Sequence, residues 1–140
     1  DKKKADEKAL AKEYQKFIAD HADRFSDNMF NFSDVMLNAD LMSQDWIIKA
    51  AVTFLETIAL CDEVLNYSQE KVPDVFREFH SIYTEAMKKY KYVAEELPSA
   101  IDNQDVARIE ELNDIMKEAT KLIEDAAPVL KKALQAASIM

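Results

Sequence analysis

The sequence predicts an all-α protein, an antiparallel up-down-up-down four-helix bundle with long, kinked helices. Three observations carry that expectation. Glycine is absent from the 140 residues, whereas ordinary usage of about 7% would supply roughly ten. Tight hairpins draw on glycine for positive φ, so few turns and no hairpin-built sheet are expected. Apolar residues also recur at steps of three and four, the spacing that lines one face of an α-helix. Finally, four such segments are joined by short polar links, and helices that each bury one stripe settle into a bundle. No domain boundary or internal repeat is visible, so residues 1–140 read as a single helical-bundle domain, with residues 1–4 as a disordered tether remnant.

The first segment runs from Ala5 to about Met42, with Leu10, Tyr14, Phe17, Ile18, Phe25, Met29, Phe32, Val35 and Met36 on one stripe. Ser26-Asp27-Asn28 is the expected place for a kink or break. Ser43 is an N-cap candidate with Asp45 in the first turn, opening a second helix to about Tyr67. Its stripe is read as Ile47, Ile48, Ala51, Phe54, Leu55, Ile58 and Leu65.

Pro73 suits the first turn of a third helix, because its missing N–H costs nothing there. Val75, Phe76, Phe79, Ile82, Tyr83, Ala86, Tyr90, Val93 and Leu97 follow on one face, to about Ile101, with a bend near Pro98. Asp102 to Asp105 forms the next connection and cap. Then Ile109, Leu112, Met116, Ala119, Ile123, Ala126, Leu130, Ala133 and Ala137 alternate spacings of three and four, a heptad pattern. Its alternation of large and small residues favours close approach of a neighbour, and Pro128 falls on the opposite face, where a local kink is expected.

Charge excludes one class of partner. The net charge is −9, from 27 acids and 18 bases, and such a field repels phosphate backbones, so nucleic acid is not expected. The one basic cluster, Lys2 to Lys4, is either a membrane-proximal tether or a solvated end. Cys61 is alone, so no intramolecular disulfide forms, which suits the cytoplasm and equally a surface that does without disulfides. The longest apolar stretches fall short of the roughly 18 residues that a transmembrane span requires. The chain begins at Asp1 rather than Met, as a processed product would, its targeting segment removed.

No catalytic or cofactor constellation is present. A di-iron bundle needs Glu-x-x-His pairs, yet Ile18 and Arg77 stand three residues before the two histidines, His21 and His80. There is no Cys-x-x-Cys-His, no His-Glu-x-x-His and no glycine loop for phosphate. Cys61 falls at the edge of an apolar face, as a small core residue does.

Two polar residues project into apolar faces: His21 in the first helix and Asp62 between Leu55, Ile58 and Leu65 in the second. They form either a buried polar pair, lining a ligand pocket or acting as a pH latch, or two interior groups separately satisfied by a tyrosine hydroxyl or water. Tyr14, Tyr83 and Tyr90 are available for the latter. On the back of the first helix, Phe30, Leu37 and Leu41 fall together about 180° from the main stripe. They mark an interface, or they turn inward because the helix breaks near Asn28.

The run Val72-Pro73-Asp74-Val75-Phe76-Arg77-Glu78-Phe79-His80-Ser81-Ile82-Tyr83, followed by Ala100-Ile101-Asp102-Asn103-Gln104-Asp105, resembles a pattern in small, uncharacterised helical lipoproteins of Gram-positive bacteria. The resemblance covers about a third of the chain. It implies a mature domain tethered at the cell surface by a lipidated cysteine, with Asp1 to Lys4 left from the tether, although no Leu-x-x-Cys lipobox stands in the sequence. It transfers no activity. The reading is therefore a non-enzymatic, extracytoplasmic interaction or scaffold module that binds a protein or peptide partner through a helical face. Its alternative is a small-ligand sensor or carrier whose core opens near His21 and Asp62.

Overall fold

A computed structural model describes residues 2–38 and 43–140. Four helices account for nearly all of them: α1 (Lys2–Leu37), α2 (Gln44–Leu65), α3 (Arg77–Asp102) and α4 (Val106–Ser138). Among the described residues there is no strand. The result is an all-α four-helix bundle.

Cross-links between helices fix the directions. Glu13, Arg24 and Asp34 of α1 meet Lys71 beyond α2, then Glu63 and Lys49 within it. Numbers rise on one partner as they fall on the other, so the pair is antiparallel. Asp62 of α2 reaches Lys91 of α3 at 2.7 Å. Tyr90 and Tyr92 of α3 bond Thr120 and Arg108 of α4, again in opposed order. Across the core, Tyr14, His21 and Phe25 of α1 meet His80, Tyr83 and Tyr90 of α3 in parallel order.

α1 runs unbroken through Ser26-Asp27-Asn28, where a break was one expectation. Asn28 looks like a breaker but falls on the inner face, where its amide donates to the Thr53 carbonyl (3.3 Å) and accepts from the Thr57 hydroxyl (2.6 Å). A buried amide satisfied by the neighbouring helix stabilises the continuous form. Lys2 to Lys4, expected as a disordered tether, are exposed residues of the first turn of α1, with helical backbone in register with the rest.

The start of α2 matches its sequence signal, and the helix ends at Leu65, two residues before the expected Tyr67. The Ser43 hydroxyl accepts from the Trp46 backbone N–H at 3.1 Å, and the Trp46 indole N–H donates to the Val35 carbonyl at 2.9 Å. The indole thus clamps the start of α2 to the end of α1. α3 begins slightly later than expected: Pro73 precedes a single 3-10 turn, Asp74–Phe76, before the α-helix proper.

The α3–α4 connection solves the problem of turning without glycine. Gln104 adopts φ 52°, the left-handed region. Its N–H bonds the Ile101 carbonyl (3.0 Å) while the Asp105 N–H bonds that of Ala100 (2.9 Å). These are the paired bonds of a Schellman cap. The Asp105 carboxylate then caps α4 by accepting from the Arg108 N–H at 3.0 Å.

The heptad reading of α4 holds: Leu112, Ala119, Ala126 and Ala133 are buried, seven residues apart. Three alanines on that seam let α4 approach α3 closely, where Ala86 and Ala94 are also buried. Pro98 and Pro128 both lie inside continuous helices and both are exposed.

The phase of α2 differs from expectation. Its buried face is Trp46, Ala50, Thr53, Phe54, Thr57, Leu60, Cys61 and Val64. Ile47, Ile48 and Leu55, placed inward by the sequence reading, are 51%, 56% and 66% exposed, and Val52 is 50% exposed. The largest aliphatics of α2 thus do not mark its core face. The helix instead turns small and hydroxyl-bearing residues toward its neighbours: Thr53 returns its hydroxyl to the Lys49 carbonyl one turn back, and Thr57 shares its hydroxyl proton between the Thr53 carbonyl and the Asn28 amide oxygen, so both bury with their donors satisfied.

Candidate functional site

Two sites emerge, an internal aromatic and histidine network and an external apolar groove. The network lies where α1 crosses α3. His21, with no exposed surface, places Nε2 2.7 Å from the Leu60 carbonyl and Nδ1 2.8 Å from the Tyr83 hydroxyl. A carbonyl only accepts, so Nε2 carries the proton and Nδ1 receives the Tyr83 O–H. That arrangement satisfies a neutral ring. The ring stacks on Phe25 at 5.7 Å and 15°.

Burial pushes the His21 pKa below its ordinary value; the Leu60 bond and the nearby Glu63 and Asp20 oppose the shift, and Arg24 adds to it. His80 is equally buried, bonded through Nδ1 to the Tyr14 hydroxyl at 2.8 Å, and burial lowers its pKa too. Both tyrosine hydroxyls are held well above the usual phenol range, chiefly by burial.

His21 and Asp62 are not brought together. With α2 rotated from its expected phase, Asp62 lies at the edge of the buried face, partly exposed, and its carboxylate takes the ammonium of Lys91. His21 has the second arrangement anticipated, separate satisfaction by a tyrosine. Cys61 is fully buried, and burial raises its thiol pKa to about 12. A thiol so rarely ionised is a poor nucleophile. Among the described residues, no group of three or more His, Cys, Asp or Glu side chains is placed to hold a metal ion.

The external site is an open groove of about 560 Å³ between α2 and α3. Trp46, Ile47, Phe54, Leu55 and Ile58 form one wall, and Ala94, Pro98 and Ile101 the other. Glu95 and Asp102 are its charged lining residues, both acids. Neither carboxylate has a salt bridge or side-chain hydrogen bond among the described residues, although Glu95 lies within electrostatic reach of Lys91. The outer face of α2 continues the apolar surface through Ile48 and Val52.

Sequence reasoning named several of these residues but assigned them to the core. A signal was present: α2 has only five charged residues in its 22, and its apolar residues fall on nearly every side of the helix. A helix apolar all round needs more cover than two neighbours give.

Of the Phe30, Leu37 and Leu41 row, Phe30 is 78% and Leu37 83% exposed, as the unbroken helix requires. Leu41 lies outside the described residues. No described helix is long and apolar enough to cross a membrane. Comparison with protein-family models, with curated proteins and with solved structures finds no match for this chain.

Proposed function

We propose that this protein is a non-enzymatic interaction module that binds a helical segment of a protein partner, with the α2–α3 groove and outer face of α2 as its docking surface. One observation carries the reading. Ile47, Ile48, Val52 and Leu55 are each at least half exposed, and they adjoin a groove whose lining is apolar apart from Glu95 and Asp102. An apolar face of that kind, on a helix otherwise well packed, is what partner-binding surfaces display. Phe30 and Leu37 on α1 offer a second, smaller apolar patch. Extracytoplasmic placement on a lipid tether belongs to the same proposal, supported by the resemblance of residues 72–83 and 100–105 to surface lipoproteins.

A display library of helical peptides tests the docking surface. Selected binders are expected to lose affinity for a Leu55→Asp variant whose thermal unfolding matches the parent's. Binders indifferent to Leu55→Asp would refute the groove as the docking surface.

A further inference from the structure

The groove has a charge pattern that specifies its occupant more narrowly than apolar surface alone. We infer that it receives a basic amphipathic helix, with two Lys or Arg residues seven positions apart beside an apolar stripe. This rests on the reading of the groove as a docking surface and adds the chemistry of the partner.

Glu95 and Asp102 are seven residues apart on α3, so they share one face of the helix, two turns apart, about 10.5 Å along the axis. Both are exposed and both line the groove. A helix laid along the groove repeats the same rise, so cations at its positions i and i+7 meet both carboxylates at once. Between them in the sequence, Pro98 and Ile101 line the same groove as Ile47 and Leu55, an apolar lining that suits side chains at i, i+3, i+4 and i+7 of the same partner.

A second copy of this chain is a poorer occupant. It would bring the same two acids back against each other in a molecule of net charge −9, and like charges in one interface oppose association. An anionic membrane surface is disfavoured for the same reason.

The test uses Trp46, the chain's only tryptophan, which lines the groove and so reports its occupancy by fluorescence. Three synthetic helical peptides of about 18 residues share one leucine stripe. The first has lysines seven apart beside the stripe, the second has glutamates at those positions, and the third has its lysines moved to the back. The first is expected to bind about tenfold or more tighter than the second, with the third between them, and added salt should narrow the gap. Glu95→Lys with Asp102→Lys, both at exposed positions, should reverse the order.

Equal affinity for all three peptides, abolished by Leu55→Asp, would overturn the partner chemistry while leaving the groove an interaction surface. Failure of every peptide to bind would overturn both. A dimer in light scattering that Leu55→Asp dissolves, or binding to phosphatidylglycerol vesicles in preference to the peptides, would assign the surface to another occupant and overturn the inference.

Discussion

Acidification is expected to weaken this fold well above the range in which its carboxylates titrate, and the two buried histidines set the size of the effect. In the folded chain His21 and His80 are depressed by burial below the ordinary 6.5; in the unfolded chain they return to it. Between the depressed folded values and 6.5 the unfolded state therefore binds more protons, and stability rises with pH there. The contribution is fully present above 6.5 and is lost as pH falls toward the folded values. Each histidine supplies a slope of at most about 1.4 kcal/mol per pH unit, so the pair approaches about 2.8. For His21 the structure explains why: Nε2–H is held by Leu60 and Nδ1 by the Tyr83 hydroxyl, which leaves a second ring proton no acceptor but that hydroxyl.

Urea unfolding followed by circular dichroism at half-unit steps from pH 7.5 to 5.5 measures the slope. His21→Gln retains one donor and one acceptor without titrating, and should remove about half of it; His80→Gln should remove the rest. A wild-type profile flat across this window would refute the assignment of both rings as buried and neutral. Persistence of the full slope in His21→Gln would refute it for His21.

Other expectations follow from packing and exposure. Ala126→Leu places a large side chain on the close α3–α4 seam and should cost about 1–3 kcal/mol by thermal or urea unfolding. Phe54→Ala, at a position only 4% exposed, should cost about 3–5 kcal/mol in the same assay. Leu37→Lys, at 83% exposure, should change stability by no more than about 0.5 kcal/mol. Gln104→Gly removes a side chain from a left-handed position and should raise stability by about 1 kcal/mol, measured as a shift in the urea midpoint.

Legibility in the sequence followed how much each helix depends on its own pattern. α4 was read correctly in phase because its seam is a regular heptad, with Leu112, Ala119, Ala126 and Ala133 a full repeat apart. α3 was read nearly as well, though the burial of His80 against Tyr14 was not anticipated. Its ring packs against Tyr14 and Tyr67 with Nδ1 bonded, while Nε2 is buried without a hydrogen-bond partner among the described residues. The Asn28 ambiguity could not be resolved from composition, since the residues that satisfy its amide, Thr53 and Thr57, are supplied by another helix. The His21 partner was within reach, because Tyr83 stood on a clean stripe.

α2 is the instructive failure, because the rule that misread it is the one that exposes the candidate site. Phasing a helix on its bulkiest aliphatics assumes that the whole chain's apolar surface is spent on its own core. In α2 it is not. Phe54 and Trp46 turn inward, while Ile47, Ile48, Val52 and Leu55 stay outside, and the inner face is completed by Ala50, Thr53, Thr57 and Cys61. Small residues there let α1 and α3 pack close, and the threonines return their hydroxyls to their own helix, so the inner face loses little by lacking leucine. The bundle is therefore closed without the outer aliphatics, which stay exposed among the described residues. At about 25 cal/mol per Å² of apolar area, covering them would favour association, and on the proposed reading Glu95 and Asp102 beside the groove would bias which partner does so. Fold and proposed function thus draw on different faces of the same helix, and only the inner face had to agree with the periodicity of the bundle.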